Sequence, residues 1–177
     1  MGHKHERADI LAGALETALD GGLAQLTYGR VAKRLGISDR IVVYYFPTKA
    51  DLATEVLGEV GARLQVALAP ALSARAADHL ELVRAAWPVL AQPDTDPTFA
   101  LFFEANGLAL AGREPYRDLV PLLVEGWIAW TADFIDGRPA RRRTEAAAAV
   151  AVLDGLLLLR QLAGPDQAEA AARRLMR

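Results

Sequence analysis

Arg40 is the side chain in this sequence whose type and setting point most directly to recognition chemistry. Its planar guanidinium can donate two parallel hydrogen bonds to guanine O6 and N7, which discriminates against a wrong base by roughly 1–3 kcal/mol. The alternative for the same side chain is a phosphate contact. Arg40 lies in the run Ser38-Asp39-Arg40-Ile41, where Ser38 can cap a helix and the next three residues make its first turn. Val43 and Tyr44 follow one turn later on the exposed side, where Tyr44 can touch a thymine methyl or a phosphate oxygen. Asp39 can accept from a cytosine amino group or stabilise the positive end of the helix.

Charge around this run has the sign that phosphate requires. From Thr27 to Lys49 the cations are Arg30, Lys33, Arg34, Arg40 and Lys49 and the sole anion is Asp39, a local balance of +4 in a chain of net charge −2. Such a footprint suits nucleic acid, although two amphipathic helices with solvated cations would carry the same charges.

No other cluster suggests catalysis. His3 and His5 fall in a polar terminus and His79 stands alone, so no metal site and no cofactor is expected. Asp94 and Asp96 fall in a loop and read as solvated carboxylates. The chain has no cysteine, which excludes disulfides and thiolate chemistry and is consistent with a reducing cytoplasm. The terminus MGHKHERAD lacks the apolar segment of a signal peptide. The most apolar stretch, Ala146–Leu159, is interrupted by Asp154 and short for a bilayer, so it is expected to be a buried helix and no membrane partner is expected.

The elements that would position Arg40 are legible around it. Thr27 can cap a short helix with Val31, Ala32 and Leu35 on its apolar side, and Gly36 can end that helix in the left-handed conformation. A second short helix begins after Ser38 and stops at Pro47. This is the layout of a helix-turn-helix, whose second helix enters the major groove. Upstream, Ile10, Leu11, Ala14, Leu15, Ala18 and Leu19 form one face of a helix over Glu6–Leu19, with Leu23 and Leu26 beneath it. Ile37, Val42 and Phe46 are the expected core partners from the second reading helix.

The segment GISDRIVVYYFPTKADL resembles the recognition-helix signature of TetR-type transcriptional regulators: Gly, an aliphatic residue, Ser, a variable stretch, an aromatic pair with Phe, a Pro link, Lys, and an acidic-Leu pair. The motif covers about the first 55 residues; beyond it only the helical layout is similar. The resemblance implies a homodimeric DNA-binding repressor whose C-terminal domain holds a small ligand. It also implies that Thr27, Tyr28, Tyr45 and Lys49 hold the DNA backbone. Val43 replaces a usual tyrosine and Tyr45 a usual histidine, so the operator cannot be inferred by analogy.

The expected fold is all-α: a DNA-binding three-helix head over residues 1–47 and a helical ligand-binding and dimerisation domain over 48–177. A long helix from Lys49 to near Pro70 carries Leu52, Val56, Val60, Leu64 and Leu68 on one face. Gly58 and Gly61 within it mark either a pivot or close packing. Further helices are expected at Asp78–Leu90, Phe99–Leu110, Tyr116–Ile135, Arg141–Leu162 and Asp166–Arg177, with Leu80, Val83, Ala86, Trp87 and Leu90 inward in the first of these.

Aromatic residues concentrate in this body. By resemblance, Trp87, Phe99, Phe102, Phe103, Trp127 and Trp130, with Glu104, Asn106 and Thr131 as polar groups, are expected to line a pocket for a small apolar or amphipathic effector. Ordinary core packing is the alternative for each. The two longest body helices, rich in small residues at Ala146–Ala149 and Gly155, are expected to pair with their symmetry mates, so that two recognition helices meet a palindromic operator. A helical carrier or enzyme with an incidental DNA-binding-like head is the competing reading.

Overall fold

The structure is a computed structural model and describes residues 6–176. Its helices are α1 (Arg7–Gly21), α2 (Tyr28–Leu35), α3 (Asp39–Tyr45), α4 (Lys49–Leu68), α5 (His79–Leu90), α6 (Asp96–Leu110), α7 (Tyr116–Ala132), α8 (Pro139–Ala163) and α9 (Pro165–Leu175). Short 3-10 turns occupy Leu23–Gln25 and Pro93–Thr95. Among the described residues there is no strand, only an isolated bridge between Ala76 and Ile135. The fold is all-α. His3 and His5 lie outside the described residues.

The chain forms two compact units, one of residues up to Ala62 with Ala100–Val120, the other of Arg63–Phe99 with Pro121 onward. The first unit takes in most of α4 and most of α6 together with the first three helices. In the first unit Ile10, Ala14, Leu15, Val31, Val42, Phe46, Leu52 and Val56 are fully buried, with Leu23 and Leu26 nearly so. Ile37 is only half-buried, unlike its expected core partners Val42 and Phe46. Gly13 lets α1 approach α2: a Cβ there would lie 2.7 Å from the Leu35 side chain, closer than van der Waals contact allows. At Gly58 a Cβ would meet nothing within 4 Å, so close packing is not why α4 carries that glycine.

In the second unit α8 packs against α5 and α9. Leu82 and Val83 are buried from α5, whereas Leu80, expected inward, is half-buried. The helix runs through Pro88 to Leu90. Asp78 caps it by accepting from the Glu81 N–H at 2.9 Å, and that bond, with a further one from the Leu80 N–H, holds the Asp78 carboxyl below its usual range.

Two isolated-looking residues prove to be paired. His79 donates its backbone N–H to Glu145 at 3.0 Å, and its Nδ1 lies 2.7 Å from the same carboxylate. Asp96, expected to be solvated in a loop, begins α6 and receives a two-pronged bond from Arg160 Nε and NH2 at 2.6 and 2.9 Å. These contacts span more than 60 residues, so no local pattern could announce them.

The segment Ala146–Leu159 is not simply a buried helix. It belongs to α8, which has 25 residues and is long and apolar enough by length and composition to cross a membrane, with a third of its most apolar 18-residue window buried. One row of α8, Ala146, Ala149, Leu153, Leu156 and Leu157, faces the core; another, Leu158, Leu159 and Leu162, is exposed.

Candidate nucleic-acid interface

Local chemistry builds the reading helices. Thr27 is extended and its Oγ1 accepts from the Arg30 N–H at 3.4 Å, which starts α2. Gly36 ends α2 at φ 66°, ψ 31°, and the Ile37 N–H reaches back to the Ala32 carbonyl at 3.0 Å. A side chain at that positive φ would be strained, so glycine suits the turn. Ser38 is extended and its Oγ accepts from the Arg40 N–H at 3.3 Å, starting α3. Thr48 and Asp51 exchange hydrogen bonds at 3.0 Å each in a capping box that starts α4.

Burial orients α3. Val42 and Phe46 are fully buried, and this anchors one side of a helix of only seven residues. The opposite side presents Asp39, Arg40, Val43 and Tyr44 to solvent, with Tyr44 78% exposed. Ile41 is half-buried, so less of its side chain is available than a first-turn position suggests. Tyr45 is half-buried and packs edge-on against Tyr44, with ring centroids 5.1 Å apart. Arg7 holds the end of this helix: its guanidinium lies 5.0 Å from the Phe46 ring centroid and pairs with Glu55 at 2.8 Å. Arg7 was not legible as a site residue, since nothing local joins it to Phe46 or Glu55.

The cations of this region divide into two kinds. Arg34 is committed to α1, pairing with Glu16 at 3.3 Å and with Asp20, and the Asp20 bond raises its pKa further. Arg30, Lys33, Arg40 and Lys49 form no ion pair among the described residues and are all exposed. The unpaired positive charge of this region therefore comes from these four, of which Arg30 and Lys33 lie with Thr17, Asp20 and Arg34 around one groove beside α1. Tyr28 departs from expectation. Its hydroxyl is buried without a hydrogen-bond partner, and burial followed by the nearby Asp51 charge raises its pKa.

The candidate effector residues fall in both units. In the first, Phe102 and Phe103 pack edge-on at 5.6 Å and Asn106 Oδ1 is buried without a partner. Glu104 is engaged by backbone, accepting from the Leu23 N–H at 2.8 Å and the Ala24 N–H at 3.3 Å. In the second, Trp127, Trp130 and Phe134 form an edge-on chain with centroids 5.4 and 4.7 Å apart. Trp87 is buried and donates its indole N–H to Glu169 at 2.9 Å; Phe99 and Thr131 are buried.

Residues 10–56, the segment just described, match the model of a family described as bacterial regulatory proteins, tetR family. The multidrug binding protein EbrR, solved with imidazole, is 30% identical over 98% of this chain and 96% of its own, with a TM-score of 0.65. The chain belongs to the tetR family of bacterial regulators. EbrR has also been solved with proflavin, where the match has a TM-score of 0.64 and covers 96% of this chain and 99% of that one. A TetR transcriptional regulator from Legionella pneumophila is 17% identical over 99% and 96% of the two chains, with a TM-score of 0.69. At that identity the likeness concerns the fold alone. No curated protein matches this tetR-family chain in sequence.

Proposed function

We propose that this tetR-family regulator is a homodimeric, cytoplasmic repressor. In this reading it binds a palindromic operator through α3 of each protomer and leaves it when a small amphipathic ligand occupies the body. Residues 1–47, with Lys49 at the start of α4, bind DNA; the rest of residues 48–177 holds the effector and the second protomer. The carrying observation is the exposed Asp39, Arg40, Val43 and Tyr44 face of α3, held outward by the fully buried Val42 and Phe46, with Arg40 and Lys49 in no ion pair among the described residues.

Arg40 reads a base edge, with Val43 and Tyr44 as apolar and hydroxyl contacts to the neighbouring step. Thr27, Tyr45 and Lys49 hold phosphates. Lys49 opens α4, where its ammonium and the first-turn N–H groups act together on an anion. Support for a small ligand comes from EbrR, a multidrug binding protein solved with imidazole and with proflavin. Support for the dimer comes from the exposed Leu158, Leu159 and Leu162 of α8 and the open space beside Gly155, which a second helix can fill. The effector acts only through its differential affinity for DNA-competent and incompetent body shapes.

Selecting bound duplexes from a random pool tests the whole reading. The expected product is an inverted repeat whose half-sites lie one helical turn apart, about 34–36 Å. Selection of no consensus, or of a single asymmetric half-site by a monomer, would refute it.

A further inference from the structure

We propose that the first compact unit carries a binding site for a small zwitterion, an α-amino acid with an apolar side chain. A cavity of about 250 Å³ lies among Leu23–Thr27, the first turns of α4 and the Glu114-Pro115-Tyr116 segment. Drug-sized ligands occupy roughly 300–1,000 Å³, so this volume suits a smaller metabolite.

Its lining is ordered by polarity. Leu23, Leu26 and Ala53 are buried and form an apolar floor, whereas Ala24, Lys49 and Glu114 are exposed and form the rim. The two rim charges are of opposite sign and do not pair with each other. Lys49 has no ion partner among the described residues, and Glu114 pairs with Arg117 in an exposed contact that solvent weakens. Two hydroxyls stand beside them. Thr27 Oγ1 accepts from the Arg30 N–H and keeps its own proton to donate. The Tyr116 hydroxyl makes no hydrogen bond among the described residues, and burial with the nearby Glu104 charge raises its pKa, which keeps the phenol protonated. Glu104 itself is occupied by the Leu23 and Ala24 N–H groups.

A lone anion would meet Glu114 and a lone cation would meet Lys49. A molecule bearing both charges satisfies each: carboxylate to Lys49 and the hydroxyls, ammonium to Glu114, apolar side chain to the floor. Because Lys49 is also assigned to a DNA phosphate, occupancy weakens operator binding; this second step rests on the proposed function, whereas the site does not.

Calorimetric titration of the full chain, without DNA, with L-leucine and L-phenylalanine tests the site. N-acetyl-leucine and leucine amide each remove one charge. Saturable binding of a free amino acid is expected, with each derivative about tenfold weaker or more. Lys49→Met and Glu114→Gln should each lose about tenfold, and Ala24→Trp should abolish binding by covering the rim. Circular dichroism melts check folding, and the two exposed charge variants carry the test should Ala24→Trp unfold. No saturation by either amino acid up to about 1 mM overturns the proposal, as does equal binding of the derivatives or indifference to both charge variants. Binding that leaves operator affinity unchanged supports the site and overturns the phosphate role of Lys49.

Discussion

Replacing Asp154 with asparagine should make the folded chain more stable at neutral pH. Asp154 is half-buried in α8, an otherwise apolar stretch, and burial alone pushes its carboxyl from the ordinary 3.8 to about 6. No charged neighbour contributes to that shift. The displacement of about two pKa units, at 1.36 kcal/mol each, sets an upper bound of ~3 kcal/mol on the penalty of ionised Asp154, and residual solvent contact brings the expected gain to about 1–2 kcal/mol. The sign follows from proton binding: between about pH 4 and 6 the folded state holds the Asp154 proton more tightly than the unfolded state. Its contribution to stability is therefore best at low pH, falls as pH rises through about 6, and is level above that. The assay is urea unfolding of both proteins from pH 4.5 to 8 at one fixed protein concentration, which keeps any association constant. Taking the difference between the two removes the opposite trends of Asp78, Asp118 and Glu145, whose carboxyls are held below their usual values. The asparagine advantage should grow from pH 4.5 to 7. A pH-independent difference, or a variant less stable at pH 7, refutes the reasoning.

Arg40→Ala should flatten base preference at one position of each half-site in a binding selection, whereas Lys49→Ala should weaken all sequences alike. The second change should reduce the slope of log affinity against log salt by about 0.9 per protomer, measured by titration at several salt concentrations. Phe46→Ala should destabilise the chain by roughly 3–5 kcal/mol, seen in chemical unfolding, because it empties a fully buried ring site under α3. Arg7→Ala, which removes only the guanidinium over that ring and the exposed pair to Glu55, should cost about 1 kcal/mol in the same assay. Asp96→Asn should cost about 2–3 kcal/mol in thermal unfolding: Arg160 is left buried without its counter-charge, though the 37% exposure of Asp96 softens the loss.

The reading helices could be read directly from the chain because their determinants are local. A capping hydroxyl at Thr27 or Ser38, a left-handed glycine at Gly36 and a proline at position 47 act on backbone groups within four residues, and such distances are visible in a linear sequence. Burial periodicity likewise placed Val42 and Phe46 in the core. Tertiary structure alone decided which charges are spent and which remain. Arg34 and Arg30 look equivalent in sequence, yet Arg34 is neutralised from α1 while Arg30 faces solvent. Arg160 and Asp96, His79 and Glu145, and Glu104 with the Leu23–Ala24 backbone are joined across 64, 66 and about 80 residues. Partners so remote leave no periodic trace, because their meeting depends on how whole helices pack and not on the spacing of their own neighbours.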